Sequence, residues 1–278
     1  MSFKDIIVHI DGTEASKARV TFSVALAKAQ SADLIGVAFA PKALLPLYGA
    51  DVGLADMSGV LDGVKAQGQA ALEGFKTCAA AAGIEAEVRF MQGMSEEFPH
   101  DFAALARQVD LAILGQPRDG DPLIGQYALV ERCLFSSGRP VMIVPATPAE
   151  TRLDGTIVAA WDGSAEAARA FNDALTFLKP AMRVVLLVGV MDGADQRAEP
   201  ATDDMVAHLT RHGVNVELAQ VPASEGDIGR LILSQAKDVE ADMIVMGAFH
   251  HSRWREFILG GVTLTMLEEA NVPLFMAH

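Results

Sequence analysis

One pattern, written twice, limits this chain more than any other feature. Asp110-Leu-Ala-Ile-Leu-Gly115 and Asp242-Met-Ile-Val-Met-Gly247 are each an acid, four apolar residues and a glycine, offset by 132 positions at both the acid and the glycine. Upstream, residues 5–10 run into Asp11-Gly12-Thr13, and residues 156–160 run through Trp161 into Asp162-Gly163-Ser164. Downstream, Arg139-Pro140-Val-Met-Ile-Val is matched by Val272-Pro273-Leu-Phe-Met-Ala. An internal duplication accounts for all of these.

Between the repeated pieces, apolar runs of strand length alternate with longer segments of helical period, which is the pattern of βαβ units and a parallel sheet. Residues 34–39 and 184–190 read as second strands, 85–90 and 215–221 as third strands, giving five per half. A segment with Pro145, Pro148 and Gly155 reads as the linker, so the expected domains are 1–150 and 151–278. The halves differ most at residues 40–62, which hold Pro41, Pro46, Tyr48, Gly49, Gly53 and Gly59. These read as a surface excursion before the second helix, with a lid as the alternative.

Composition narrows the function classes. Apolar residues are 51% and charged residues 21%, enough for a sizeable core. Lys plus Arg is 22 against 36 for Asp plus Glu, a net charge of −14 that argues against nucleic acid and anionic membrane surfaces as partners. The only cysteines, Cys78 and Cys133, have neither disulfide-framework nor zinc-site spacing, which fits a cytoplasmic location and no metal. Asp5 and the Asp11-Gly12 turn interrupt any leader-like stretch, and residues 184–191, the longest apolar run, fall well short of the roughly 20 residues a membrane helix needs.

In an open parallel sheet, ligands bind outside the carboxyl ends of the strands, where strand order reverses. Two segments of the second half fall there: Trp161-Asp162-Gly163-Ser164 after strand one, and residues 246–255 after strand four. The latter leads to Leu259-Gly260-Gly261-Val262-Thr263 and an apolar helical pattern. Glycines at a helix entry let backbone N–H groups approach a phosphate. His250, His251, Arg253 and Arg255 reverse the prevailing charge beside them. Each piece also has a plainer reading: Asp162-Gly163-Ser164 as turn and N-cap, Gly260-Gly261 as a tight helix entry, the histidines as solvated loop residues.

At these residues the sequence resembles the universal stress protein family in its tandem form. The family motif is G-x2-G-x9-G-(S/T). Gly247 takes the first glycine, His250 stands where the second is expected, residues 251–259 are the spacer, and Gly260 is the third glycine. Gly261 occupies the Ser/Thr place, with Thr263 as a substitute hydroxyl. The resemblance implies two tandem Rossmann-like α/β domains, each a five-stranded parallel sheet of order 3-2-1-4-5 sandwiched by helices. It implies an adenine nucleotide, ATP first and with Mg2+ as an option, held by Asp162, Met246, Gly247, His250, Gly260, Gly261, Val262 and Thr263. Asp162 would contact ribose or adenine, and Met246 would pack near them. His250 either obstructs the phosphates or donates to them.

The first half keeps Asp11-Gly12-Thr13 but has no G-x9-G spacing after Gly115, and Asp119 and Asp121 would repel phosphate. It is expected to be a nucleotide-free structural partner. Three functions follow: a stress-response regulator binding nucleotide in the second domain, an interaction scaffold whose site is lost at His250, or a slow ATPase. No Walker loop, nucleophile elbow or magnesium-binding acidic pair favours the enzyme, so no catalytic residue is assigned. Residues 141–144 and 274–277 suit edge pairing, expected as a pseudo-dimer within the chain or as a homodimer.

Overall fold

A computed structural model of the chain describes residues 2–42, 54–117, 125–147, 152–191, 202–223, 228–248 and 261–278. The chain divides into two compact units, Phe3–Arg139 and Pro140–His278.

In the first unit the order is β1 (Asp5–Ile10), α1 (Glu14–Gln30), β2 (Asp33–Pro41), α2 (Leu54–Ala81), β3 (Ala86–Gly93), α3 (Phe98–Ala106), β4 (Leu111–Gly115) and α4 (Gln126–Ser136). The strands lie side by side as β3-β2-β1-β4, and every pair is parallel. Near-continuous apolar runs such as Ile6-Ile7-Val8 and Leu111 to Leu114 are fully buried, as strands covered on both faces must be. Each such side chain contributes roughly 1.5–3 kcal/mol. The excursion read at residues 40–62 is shorter than expected, because β2 reaches Pro41 and α2 already begins at Leu54, with Gly59 inside it. Helix-forming neighbours override the glycine here; residues 43–53 lie outside the described residues.

The second unit contains β5 (Val141–Val144), β6 (Thr156–Ala160), α5 (Ala165–Asp173), α6 (Leu175–Leu178), β7 (Arg183–Met191), α7 (Thr202–Arg211), β8 (Val216–Ala223), α8 (Ile228–Asp238), β9 (Met243–Gly247), α9 (Gly261–Glu269) and β10 (Leu274–Ala277). Its strand order is β5-β10-β9-β6-β7-β8. From β8 to β10 all pairs are parallel, which gives the expected 3-2-1-4-5 order for this half.

The edge pairing expected of residues 141–144 and 274–277 is present. β5, the last strand of the first sequence half, lies in the second compact unit and runs antiparallel to β10, with Leu274 opposite Ile143, Phe275 opposite Met142 and Met276 opposite Val141. Both strands are four residues long and buried throughout. Neither has the polar alternation that would let an edge face water, so each serves as the other's cover.

The repeated acids have a structural cause. Asp110 accepts the Lys4 and Asp5 backbone N–H groups on one oxygen (2.6 and 3.3 Å), stapling the start of β4 to the start of β1. Asp242 does the same for β9 and β6, accepting Arg152 N–H on Oδ1 and Thr156 N–H on Oδ2, both at 2.9 Å. A methyl group added at Gly155 would collide with that Asp242 carboxylate, so the adjacent glycine is required by the staple. The thiols are not paired: Cys78 and Cys133 are both free, and burial pushes the Cys133 thiol up to about 12.

Candidate functional site

The second unit brings Asp162, Met246 and Gly247 together at the carboxyl ends of β6 and β9. These strands are neighbours in register, with Ala159 beside Val245, and they flank the point where strand order reverses. The Asp162-Gly163-Ser164 turn has Gly163 at φ +77°, a left-handed value that glycine adopts without a Cβ penalty. Ser164 caps α5, its hydroxyl accepting Ala167 N–H at 3.0 Å. Asp162 is exposed and accepts Ser164 N–H on Oδ1 at 2.9 Å. Its Oδ2 has no partner among the described residues.

Met246 is buried, forming the floor. Gly247 is pressed against the start of α5: a Cβ there would sit 2.5 Å from Ala167 N and 2.8 Å from Glu166 C. The glycine therefore lets β9 and α5 approach closely. Just beyond it, Ala248 is tied to the end of β10, donating to the Ala277 carbonyl at 2.9 Å while its own carbonyl lies 2.9 Å from His278 Nδ1. Gly261, Val262 and Thr263 form the first turn of α9. Gly261 is exposed, with nothing near its Cβ position among the described residues, Val262 is half-buried and Thr263 is buried. His250 and Gly260, with His251, Arg253 and Arg255, lie outside the described residues.

The first unit repeats the frame with different chemistry. Asp11 also follows its strand and also bonds its turn, with Oδ1 accepting Thr13 N–H (2.9 Å) and the Thr13 hydroxyl. Its Oδ2, however, is taken by Arg19 NH2 at 2.6 Å, and Arg19 Nε donates to the His9 carbonyl at 2.7 Å. Arg19 is 2% exposed and lies across Gly115, where a Cβ would strike its NH1. Burial pushes the Asp11 pKa up, but the Arg19 charge and the Thr13 hydrogen bonds prevail and hold it well below the usual carboxylate range. His9 is enclosed by Phe98 and Phe102, with ring centroids 5.4 and 6.1 Å away. Burial, helped by Arg19 and opposed by Asp11, lowers its pKa from 6.5 to about 3, so the ring is neutral.

Aligning Asp11 with Asp162 places Ala160 at the His9 position and Ala170 at the Arg19 position. The second unit thus has alanine where the first has the cation that claims Asp11. Arg19 and His9 were not singled out from the sequence. The signal was a charged residue on the buried face of α1 where the duplicate has alanine.

Among the described residues no group of three or more His, Cys, Asp or Glu side chains is set to hold a metal, and no helix is long and apolar enough to cross a membrane.

The fold is a parallel, doubly wound α/β sheet with an exposed acid at its switch point, where such sheets have their crevice. Residues 155–278 match the model of the universal stress protein family. A universal stress protein from Archaeoglobus fulgidus DSM 4304 shares the fold at a TM-score of 0.73 and 19% identity, over 98% of this chain and 97% of its own. A functionally unknown protein from Pseudomonas aeruginosa PAO1 does so at 0.58 and 14% identity, over 99% and 92%. No curated protein matches the chain in sequence.

Proposed function

We propose that the chain is a tandem stress-response regulator that binds one adenine nucleotide, ATP first, in its second unit, while its first unit stays nucleotide-free. The observation that carries this reading is the contrast between the two acids. Asp162 stands exposed at the switch point with an oxygen to offer a ribose hydroxyl, whereas both oxygens of Asp11 are spent on Thr13 and Arg19. The family match of residues 155–278 and the helix start at Gly261 support it, since the first N–H groups of a helix have no intrahelical acceptor and suit phosphate. His250 and Gly260 complete the ligand set in this proposal. Regulation would come from nucleotide shifting a population of conformers rather than from fast turnover.

Equilibrium binding of ATP, ADP and AMP to the purified chain tests it. Binding should be saturable at one equivalent, fall at least about tenfold in Asp162→Ala, and vanish in Gly261→Arg. No binding at millimolar nucleotide would reject the proposal in favour of the scaffold reading. Binding untouched by both substitutions would put the ligand elsewhere.

A further inference from the structure

A cavity lies in the first unit beside Asp11. It is a cleft of about 490 Å3 between α1 and α2, within the range of about 300–1,000 Å3 usual for small-molecule sites. Ile10, Val20 and Phe75 line its base, Ala71 and Gly74 of α2 form one wall, and Gln67 stands at the rim, its Nε2 donating to the Gly12 carbonyl at 3.3 Å.

The duplicate shows what this space is shaped to hold. In the Asp11–Asp162 register, Ile10 corresponds to Trp161 and Val20 to Phe171. In the second unit those two residues pack ring against ring, with centroids 5.5 Å apart, and both are buried. Where the second unit places an indole and a phenyl ring, the first has two aliphatic side chains and a cleft. The charges at the rim are internally cancelled: Asp11 by Arg19 at 2.6 Å and Lys17 by Glu14 at 2.6 Å. A neutral ligand meets no uncompensated charge there, and an ionic one has none to pair with.

We propose that the α1–α2 cleft of the first unit binds a neutral, flat aromatic molecule of about indole size, which takes the place that Trp161 and Phe171 fill in the second unit. The aromatic preference follows from the duplicate, which buries two rings at the positions corresponding to Ile10 and Val20, and the small residues Ala71 and Gly74 leave the α2 wall open to a planar face. This site is independent of the nucleotide proposal, as it lies in the other unit.

The test is equilibrium binding of indole to the full chain, with decanoate as an aliphatic comparison, for the natural protein and for Ile10→Trp/Val20→Phe. The double substitution transplants the residues that fill the duplicate. Indole should bind at one equivalent, its Kd should rise at least tenfold in the filled variant, ATP affinity should be unchanged there, and decanoate should bind at least tenfold more weakly than indole. Should the filled variant not fold, Ala71→Leu, which narrows the same cleft from α2, is measured in its place with the same expectation. No indole binding at millimolar concentration, a Kd unmoved by filling, displacement of indole by ATP, or a preference for decanoate would each overturn the assignment.

Discussion

Replacing His9 with phenylalanine separates the energetic roles of burial and charge in the first unit. In the folded protein the ring stays neutral down to about pH 3, whereas in the unfolded chain it takes a proton near 6.5. Between these values the unfolded state binds the extra proton, so stability rises with pH. The contribution is complete above 6.5 and is lost as pH falls toward 3. The slope is at most about 1.4 kcal/mol per pH unit, and the whole window amounts to roughly 5 kcal/mol.

Phenylalanine cannot titrate, fits among Phe39, Phe98 and Phe102, and removes the buried Nε2 that has no hydrogen-bond partner. At pH 7 the variant should therefore lie within about 1.5 kcal/mol of the natural protein. By pH 4 the natural protein should have lost about 3 kcal/mol that the variant keeps. Urea unfolding at pH 7, 6, 5 and 4, followed by circular dichroism and by hydrogen exchange in β1 peptides, measures the difference. Acid titration of Asp11 is common to both proteins and cancels in the comparison to the extent that it is independent of His9. Parallel stability curves for the two would refute the buried-neutral-imidazole reasoning.

Arg19→Ala leaves the Asp11 carboxylate without its cation in a site where the two side chains are 3% and 20% exposed, and should cost about 3–5 kcal/mol in the same exchange experiment; Arg19→Met with Asp11→Asn should recover much of it. Gly247→Ala drives a methyl group into the backbone of α5 and should lower second-unit stability by about 1–3 kcal/mol, read from Trp161 fluorescence during urea unfolding. Asp242→Ala strips acceptors from Arg152 and Thr156 and should cost about 1–3 kcal/mol, with the first residues of β6 gaining the fastest hydrogen exchange.

Much of the fold was legible because the physics that sets it is local. Apolar runs with no polar alternation marked strands covered on both faces, and the paired acids at Asp110 and Asp242 gave the register of the duplication before their staples were visible. What stayed hidden depends on contacts distant in sequence. The uniform apolarity of Val141–Val144 and Leu274–Ala277 marked them for edge pairing, but not the antiparallel register, Leu274 opposite Ile143, in which they meet. Of the expected site residues, Asp162 and Gly247 lie at the strand ends as the spacing predicts, although the approach of α5 already accounts for Gly247. The capture of Asp11 by Arg19 was invisible to a search for ligand motifs, since it appears only when the two halves are laid over each other and their differences read.

The antiparallel seam between β5 and β10 also changes what counts as one piece of this protein. The region matching the family begins at residue 155, yet the strand that covers the outer edge of β10 lies at Val141–Val144. A fragment cut at the family boundary would bare a short, wholly apolar strand and would have to borrow its cover from another molecule at whatever concentration it is present. In the full chain that cover is tethered to β6 by residues 145–155, so its local concentration is fixed in the roughly millimolar range typical of short linkers, independent of expression level. Tandem duplication here works as a built-in stoichiometry.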